Sequence, residues 1–581
     1  MTLTPFSWLH LSRYKPVVWD YLWGNDEHVK TLLIGEVLNL DSVLEHFGLH
    51  GMQPASGIAK LVSVRAPEEF LPLLNGSFLW LTESVGHSER WVATDRFATI
   101  RLFYTRSSGE YHFCDSLWDL AQKHTVCQSD IDSVIGSMLF GYFIGKRTCF
   151  KGVYEVEPGR VYRVNGPELT ESKYWHVCFK RCTDIEYEQA AMELHDRWLN
   201  AVDRWVSTRD DILVPISGGM DSRALLAALI ECGYSRRITT CTWGPEGSFD
   251  FEFGNMISRK AGTRHVILPS DFADWKRQCE TWQRETEGML NCLPHFPVLH
   301  YERTIRDFRY VMIGYMGDPS MGSHLSADMI GKPLPEQLAL VQYLIERHRW
   351  SYVGIGDVQS LFQEPVADRL SALVGETLSS VEGSNLAEYC EAWDFHQRQH
   401  KFTPYAVFRF VSSVRYLTPF TDNEVFDFMC TMPVEWRQGQ RLYFHMLGRY
   451  FQSLFSLPSK NYLGLPITAT ASRLGLQRFL YRGRRFVQDS VLRKPRFSRP
   501  ATNYLEYDHL LPVHEPLRRY LSQQVDEYLR STVQIGDPNL VKQVWNMVSS
   551  TPSSKVIPLT MLLTHQMTLD RIRTAPQCSL M

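Results

Sequence analysis

A short loop in the middle of the chain carries the groups best suited to chemistry. Residues 211–216 form an apolar run typical of a buried strand, and residues 223–232 are helix-forming. The loop between them therefore leads into a helix N-terminus, whose backbone N–H groups and dipole suit a phosphate. The glycines permit close approach of the backbone to that anion, and the serines add hydroxyl donors. The predicted ATP or pyrophosphate ligands in this loop are Ser217, Gly218, Gly219, Asp221 and Ser222.

Asp221 determines which phosphate chemistry is expected. A carboxylate beside a phosphate cradle repels the ligand unless a cation lies between them, so Asp221 implies Mg²⁺. The P-loop pattern G-x-x-x-x-G-K-[ST] places a Lys on the terminal phosphates, and this loop has no such Lys. We therefore expect ATP to release pyrophosphate and transfer AMP. The alternative is a glycine-rich loop that only lets a helix pack on a sheet.

A second loop follows another predicted strand of the same sheet. Residues 310–313 are strand-forming, and Gly-Tyr-Met-Gly-Asp follows at 314–318. The carboxyl ends of neighbouring parallel strands face one crevice. Asp318 is therefore expected to complete the Mg²⁺ site with Asp221. An ordinary Gly-Asp turn is the alternative.

Length and composition indicate the number of domains and the class of protein that contains these loops. The chain has 581 residues, which allows several domains, and 61 basic against 64 acidic residues give a net charge of −3. That balance does not indicate a polyanionic partner. The 12 cysteines show no disulfide framework, and no signal peptide or membrane-spanning stretch is evident. We expect a cytoplasmic protein without a membrane partner.

The pattern of predicted elements indicates two domains of different class. Short strands separated by turns fill the chain to about residue 180, which predicts a mostly antiparallel, sheet-rich domain. Strands and helices then alternate from residue 211 to residue 313, which predicts a doubly wound parallel sheet. Helical patterns dominate from residue 333 onward. The expected fold is therefore mixed α/β and α+β, with domains at 1–183 and 184–581.

These motifs together resemble the asparagine synthetase family over nearly the full length. Residues 217–222 are similar to its ATP pyrophosphatase loop, and residues 315–318 to its second phosphate and Mg²⁺ loop. The second similarity implies that Gly317 binds the ATP or pyrophosphate. Residues 415–422 resemble its R-x-P-F-x-D stretch, with a longer gap after the Arg, and residues 459–466 its late lysine loop. The resemblance implies an N-terminal domain of the glutaminase, Ntn-hydrolase-like type and a C-terminal adenylating ATP pyrophosphatase domain.

The resemblance also nominates two catalytic residues. Lys460 matches the lysine that stabilises the oxyanion formed when an amine attacks an acyl adenylate, with a solvated surface lysine as the alternative. Tyr315 stands where asparagine-forming members carry Glu and where the β-lactam-forming relatives carry a Tyr base. The carboxylate that would orient Tyr315 is not evident from the sequence. A buried Tyr with a satisfied hydroxyl is the alternative.

The N-terminus departs from the family. Glutamine-hydrolysing members expose a Cys at position 2, where this chain has Thr2, and the family's Asn-Gly-Glu is Ile-Gly-Glu at residues 34–36. We therefore expect the first domain to persist as an inactive scaffold. A basic cluster between residues 473 and 499 is interpreted as a surface helix and loop, so a nucleic-acid partner is not expected.

The expected function is ATP-dependent, AMP-forming amide ligation. The partners would be a small-molecule or peptide carboxylate and an amine or ammonia, and an intramolecular amine would make the enzyme a cyclase. Three alternatives stay open: a glutamine-hydrolysing asparagine synthetase, a non-catalytic scaffold and an RNA-modifying ATP pyrophosphatase. The sequence predicts neither the substrates nor the oligomeric state.

Overall fold

The structure is a computed structural model that describes residues 6–86, 89–126, 128–180, 184–269, 273–350, 352–486 and 505–574, the last three residues before 487 as backbone only. Its strands are β1 (Leu9–His10), β2 (Tyr21–Asn25), β3 (Val29–Val37), β4 (Gly76–Ser84), β5 (Glu89–Thr94), β6 (Phe103–Ser107), β7 (Glu110–Cys114), β8 (Val153–Glu155), β9 (Arg160–Asn165), β10 (Glu168–Lys173), β11 (Ile212–Pro215), β12 (Ile238–Gly244), β13 (Arg264–Pro269), β14 (Tyr310–Met312) and β15 (Arg415–Leu417).

The α-helices before residue 350 are α1 (Leu40–His46), α2 (Pro54–Val64), α3 (Pro67–Phe70), α4 (Leu117–Lys123), α5 (Ile131–Phe140), α6 (Tyr187–Val206), α7 (Asp221–Glu231), α8 (Phe249–Ala261), α9 (Trp275–Thr286), α10 (Val298–Ile305), α11 (Gly317–Ser320) and α12 (Gln337–His348). Those after it are α13 (Ile355–Gln359), α14 (Ala367–Glu376), α15 (Leu386–His396), α16 (Arg398–Lys401), α17 (Thr403–Val407), α18 (Asn423–Thr431), α19 (Val434–Arg437), α20 (Arg441–Tyr450), α21 (Gln452–Phe455), α22 (Ala471–Phe486), α23 (Tyr507–Leu510), α24 (Glu515–Arg530), α25 (Pro538–Val548) and α26 (Val556–Thr574).

The first part of the chain contains two sheets. One has the order β1-β7-β6-β8 and the other β10-β9-β5-β4-β3-β2, and all described pairs are antiparallel except β1 with β7. Consecutive strands β8 and β9 belong to different sheets. The prediction of a mostly antiparallel, sheet-rich region is confirmed.

The second part contains one parallel sheet. Its order is β13-β12-β11-β14-β15, and every adjacent pair is parallel. The strand order reverses direction at β11, which places a topological switch point between β11 and β14. Ligands in open α/β sheets bind at such a point, so the topology brings both predicted loops to one crevice.

The two parts share a continuous hydrophobic core. Buried side chains of the antiparallel sheets and of the parallel sheet belong to one packed cluster. The last helix, α26, lies against α5 of the first part. The predicted boundary between residues 183 and 184 adjoins residues 181–183, which are outside the described part, and it stays a prediction.

The described cysteines and helices bear on two expectations from the sequence. Nine cysteines in the described residues are free thiols, and seven of them are buried. This agrees with the expectation that the chain carries no disulfide framework. Of the helices in the described ranges, none combines the length and the apolar character that crossing a membrane requires.

The packing of α26 against the first part of the chain predicts that the protein becomes less stable in acid. Burial, with the charge of Arg573, lowers the pKa of His565 to about 3, and its Nε2 lies 2.9 Å from Ser129 Oγ. The unfolded chain takes up this proton near pH 6.5 and the native state does not, so stability falls as the pH drops from about 6.5 toward 3. His565→Gln should remove this loss, by up to ~2 kcal/mol between pH 7 and pH 5. Melting temperatures of both proteins at the two pH values test it, and equal drops would contradict it.

Candidate functional site

The two predicted loops lie side by side. Residues 216–220 follow β11, residues 313–316 follow β14, and the pairing of Ile212 with Tyr310 sets the two strands in register. Helix α7 begins at Asp221 and the short α11 begins at Gly317. The carboxyl ends of the two strands therefore bring both aspartates to the same crevice, as the sequence predicts.

Two glycines allow the loops to touch. A Cβ atom on Gly317 would lie 2.5 Å from Asp221 Cγ, and one on Gly314 would lie 2.7 Å from Asp221 Cβ. Met316, between them, has a positive φ of 69°, which turns the chain sharply before α11. Any larger side chain at either glycine position would displace the Asp221 carboxylate.

Asp221 is a partly buried carboxylate close to a second one. Burial and the charge of Asp318 together raise the pKa of Asp221 well above its ordinary value, although the nearby Lys460 opposes the shift. The Tyr443 hydroxyl donates to Asp221 Oδ1 at 3.3 Å, and the Gln440 side-chain amide donates to Asp318 Oδ1 at 3.5 Å. Two acidic groups held close together, one partly buried and the other exposed, form an arrangement that a divalent cation would relieve.

The serine and glycine groups of the loop bond mostly to one another. Ser217 N–H donates to Ser222 Oγ at 3.2 Å, and Gly219 N–H donates to Ser217 Oγ at 3.2 Å. Gly218 N–H donates to Asp250 Oδ1 at 3.1 Å. The sequence predicts these N–H groups as phosphate donors. In the structure protein oxygens accept from Gly218 and Gly219, so a phosphate would have to replace those acceptors.

Lys460 lies over this loop. Its backbone N–H donates to Gly218 O at 3.1 Å, and a Cβ on Gly219 would lie 3.4 Å from Lys460 Cε. The Lys460 ammonium is 3.0 Å from Asp250 Oδ1. The predicted catalytic lysine is therefore beside the candidate phosphate loop and not on a distant surface.

A buried arginine fastens the lysine loop to the glycine loop. Arg223 is fully buried, and burial lowers its pKa to about 10. Its guanidinium donates to the carbonyl oxygens of Leu457 and Pro458 at 3.2 and 2.7 Å, and lies 3.5 Å from Gly218 O. These bonds fix the segment that leads into Lys460, which makes Arg223 a positioning residue.

Tyr315 does not join this group through its hydroxyl. The hydroxyl donates to the backbone carbonyl of Gln399 at 2.9 Å, and the ring packs edge-on against Phe408. Burial raises the pKa of Tyr315 well above its ordinary value. These contacts match the second of the two expected roles, a buried Tyr with a satisfied hydroxyl.

Four side chains at the site were not predicted from the sequence. Asp250, Tyr443 and Arg223 contact the predicted residues but lie in ordinary helical segments. Gln440, which also contacts them, precedes α20 with a positive φ of 60°. Asp250 follows a Ser N-cap at the start of α8, next to β12. A polar residue just after a parallel strand was the available signal for it. Tyr443 and Gln440 lie more than 200 residues from Asp221 in sequence and carry no comparable signal.

Other predicted features lie elsewhere in the molecule. Asp422 caps α18 and pairs with Arg204 at 2.8 Å, and Arg415 pairs with Glu36 at 3.2 Å, so the 415–422 stretch joins the two parts of the chain. Helix α22 is a mostly exposed surface helix and carries the first basic residues of the cluster between 473 and 499. The remainder of that cluster, and Thr2, lie outside the described residues.

The close approach of Gly317 predicts the effect of adding one methyl group. The Mg²⁺-dependent nucleotide binding that the sequence predicts should be weakened by ~10-fold or more in Gly317→Ala, because the new Cβ would push the Asp221 carboxylate aside. Titration of both proteins with MgATP in a calorimeter measures the change. Gly356→Ala is the matched control, since a Cβ there meets nothing within 4 Å. Equal affinities in the wild type and Gly317→Ala would contradict the prediction.

Comparison with known proteins gives only distant likenesses. No protein family model and no curated protein matches the chain. One similar solved structure is the allosteric regulatory enzyme of purine biosynthesis, at 10% identity and TM-score 0.20, covering 42% of this chain and 62% of that one. Another is glutamine phosphoribosylpyrophosphate amidotransferase from B. subtilis complexed with ADP and GMP, at 10% identity and TM-score 0.18, covering 50% and 57%. The chain thus spans less than two thirds of either structure, and these values do not assign it to a family.

Proposed function

We propose that this protein is an ATP-dependent, AMP-forming amide ligase of the asparagine synthetase type. The observation that carries the proposal is the meeting of Asp221 and Asp318 at the carboxyl ends of two adjacent parallel strands. A glycine loop and Lys460 border the same crevice. This combination suits a triphosphate whose α-phosphorus reacts with a carboxylate.

The two aspartates fit a Mg²⁺ ion. Their carboxylates supply hard oxygen ligands, and the raised pKa of Asp221 reflects a charge that the protein leaves poorly compensated. A bound Mg²⁺ would supply charge neutralisation for the triphosphate oxygens. Gln440, which donates to Asp318, would orient that ligand.

The remaining groups would handle the substrates. Residues 217–222 would hold the pyrophosphate portion of ATP, with the first turn of α7 directing its N–H groups and dipole toward the anion. A substrate carboxylate attacks the α-phosphorus, pyrophosphate leaves, and an amine then displaces AMP. The Lys460 ammonium would stabilise the oxyanion of that second step.

The contacts of Glu36 support a scaffold role for the first part of the chain. Glu36, in the Ile-Gly-Glu phrase, pairs with Arg209 and Arg415 of the second part. Its carboxylate is therefore engaged in joining the two parts. The proposal accordingly takes the amine, or ammonia, from the substrate or from solution, and an amine within the substrate would give a cyclase.

A non-catalytic scaffold is the second candidate. It is favoured by one observation, that Asp250 accepts from Gly218 N–H and pairs with Lys460, so a protein carboxylate takes the place expected for a phosphate oxygen. In an enzyme this contact would exchange when nucleotide binds. In a scaffold it would be permanent.

Nucleotide binding and exchange distinguish the two candidates. Calorimetry with α,β-methylene-ATP should show binding that requires Mg²⁺, and labelled pyrophosphate should enter ATP when a suitable carboxylate from a panel of amino acids and peptides is present. Hydroxylamine then serves as a general amine, and the hydroxamate formed measures amide-type transfer. A protein that binds no nucleotide with or without Mg²⁺ would be a scaffold, and the ligase proposal would be wrong.

A substitution of Lys460 separates the two half-reactions. Lys460→Gln should lower hydroxamate formation by ~10²-fold or more, because the lost ammonium acts on charge that develops in the transition state. Binding of α,β-methylene-ATP should change much less. Lys332→Gln, at an exposed position in a turn, is the matched control.

A further inference from the structure

We propose that His10, Cys114 and Asp119 bind a Zn²⁺ ion in the first part of the chain. The three side chains each offer one donor atom, and these atoms all lie within 4.8 Å of one another. Among the residues that the structure describes, these three form the group of His, Cys, Asp or Glu side chains whose donor atoms lie this close together. The site is independent of the proposed ligase function.

The backbone builds this cluster from three elements. β1 pairs in parallel with β7, and the register sets His10 directly beside Cys114. Asp119 lies in the first turn of α4, where its N–H donates to the N-cap Ser116 Oγ at 3.1 Å. The strand pairing and the helix cap thus aim all three donors at one point.

Neighbouring hydrogen bonds prepare two of the donors. Ser116 N–H donates to Cys114 Sγ at 3.4 Å, a bond that favours a thiolate ligand. Ser12 Oγ donates to Asp119 Oδ2 at 2.6 Å, and that same oxygen is 3.9 Å from His10 Nε2. Such outer contacts orient metal ligands in known sites.

The nearby Asp115 is engaged elsewhere. Its carboxylate accepts the backbone N–H groups of Ser12, Arg13 and Tyr14 at 2.8 to 2.9 Å. These bonds hold the segment that follows His10. Asp115 therefore supports the cluster without being one of its donors.

The types of donor atom and the volume of the adjoining cavity indicate which metal ion would bind. One thiolate, one carboxylate and one neutral imidazole give a charge of −2, which balances Zn²⁺ after the thiol proton is released. A soft thiolate disfavours Mg²⁺ and Ca²⁺. A cavity of about 10 Å³ borders the three residues, which is room for about one small ion or water molecule. His10 and Asp119 are 30% and 42% exposed, so solvent reaches the site while Cys114 is buried.

The fourth coordination position would face that cavity. The rings of His112 and His124 stack at 4.2 Å along its wall. Three protein ligands with one open position describe a site that binds a metal and still admits a water molecule. The ion would also tie β1 to β7 and α4, and so stabilise the N-terminal strand.

Metal titration of the chelator-treated, reduced full-length protein tests this proposal. Competition with a chromophoric chelator should show one tight Zn²⁺ equivalent per chain. Co²⁺ in its place should give the near-ultraviolet absorption of a thiolate–Co²⁺ bond and the strong visible bands of a four-coordinate ion. Zn²⁺ should also raise the melting temperature of the protein.

Substitutions locate the ion. His10→Gln and Asp119→Asn should each weaken Zn²⁺ binding by at least ~10-fold, and Cys114→Ser should abolish the thiolate–Co²⁺ absorption. Cys178→Ser, which removes an exposed thiol outside the cluster, is the matched control and should bind as the wild type does. The partly exposed His10 and Asp119 keep the test valid if Cys114→Ser does not fold. No tight equivalent in the wild type, or unchanged binding in Asp119→Asn and His10→Gln, would overturn the proposal.

Discussion

Asp221→Asn is expected to abolish Mg²⁺-dependent nucleotide chemistry and to raise the thermal stability of the nucleotide-free protein. The carboxylate is partly buried beside Asp318, and desolvation and the charge of Asp318 both raise its pKa, so its ionised form destabilises the native state. Asn has the same shape, carries no charge and can still accept from the Tyr443 hydroxyl. A side chain kept at a cost to stability is typical of a functional site.

The pH dependence of this gain has a definite sign. A carboxyl group whose native pKa lies above the unfolded value binds more protons when folded, so its contribution to stability falls as the pH rises above about 4. The melting temperature of Asp221→Asn should therefore exceed that of the wild type by a margin that grows from pH 4 toward pH 8. We expect a margin of ~1–3 °C near neutrality.

Mg²⁺ and nucleotide together should make the wild type more stable than Asp221→Asn. Added Mg²⁺ and α,β-methylene-ATP should raise the melting temperature of the wild type and leave that of Asp221→Asn unchanged. Pyrophosphate exchange should fall by ~10³-fold or more in the variant. Asp526→Asn, at an exposed position in α24, is the control. A destabilised Asp221→Asn that retains nucleotide binding would show that the carboxylate is structural.

The sequence predicts much of this site because its chemistry is local. Each predicted loop directly follows a short apolar strand, and parallel strands carry their loops to one edge of the sheet. Asp221 and Asp318 could be named for this reason, whereas Lys460 was nominated by the resemblance to the asparagine synthetase family. The structure brings the three side chains together. The switch point itself, set by the order of β11 and β14, could not be predicted, since strand order depends on packing between distant segments.

Sequence patterns could not predict the contacts that the candidate site makes between distant segments of the chain. Tyr315 matched a catalytic pattern by position, but its hydroxyl donates to Gln399 O in α16, 84 residues away in sequence. Asp250 and Arg223 look like ordinary helical residues until the fold places them against the loops. The His10, Cys114 and Asp119 cluster joins segments about 100 residues apart, so no spacing rule for metal ligands detects it.

The junction of the two parts provides the second large expected effect. Lys401 Nζ lies 2.7 Å from Glu155 Oε2, and the Tyr405 hydroxyl donates to Glu155 Oε1 at 2.8 Å. Glu155 and Lys401 are 0% and 1% exposed, so either charge alone would be buried without its counterion. Lys401→Met should therefore destabilise the protein by ~3–5 kcal/mol, seen as a large drop in melting temperature.

A double substitution distinguishes two causes of lost stability: a buried charge without its counterion, and a loss of packing. Glu155→Gln combined with Lys401→Met removes both charges, keeps similar side-chain volumes and lets the Gln accept from Tyr405. The double variant should therefore recover most of the stability lost in Lys401→Met, with a coupling energy of ~2–3 kcal/mol between the two substitutions. The pair Lys173 and Glu382 also spans 2.7 Å but is 26% and 66% exposed, and Lys173→Met should cost less than ~1 kcal/mol. Two pairs of equal length would then differ only through burial. If the double variant melted as low as Lys401→Met, the loss would come from packing around the lysine stem, and the electrostatic account of this junction would be wrong.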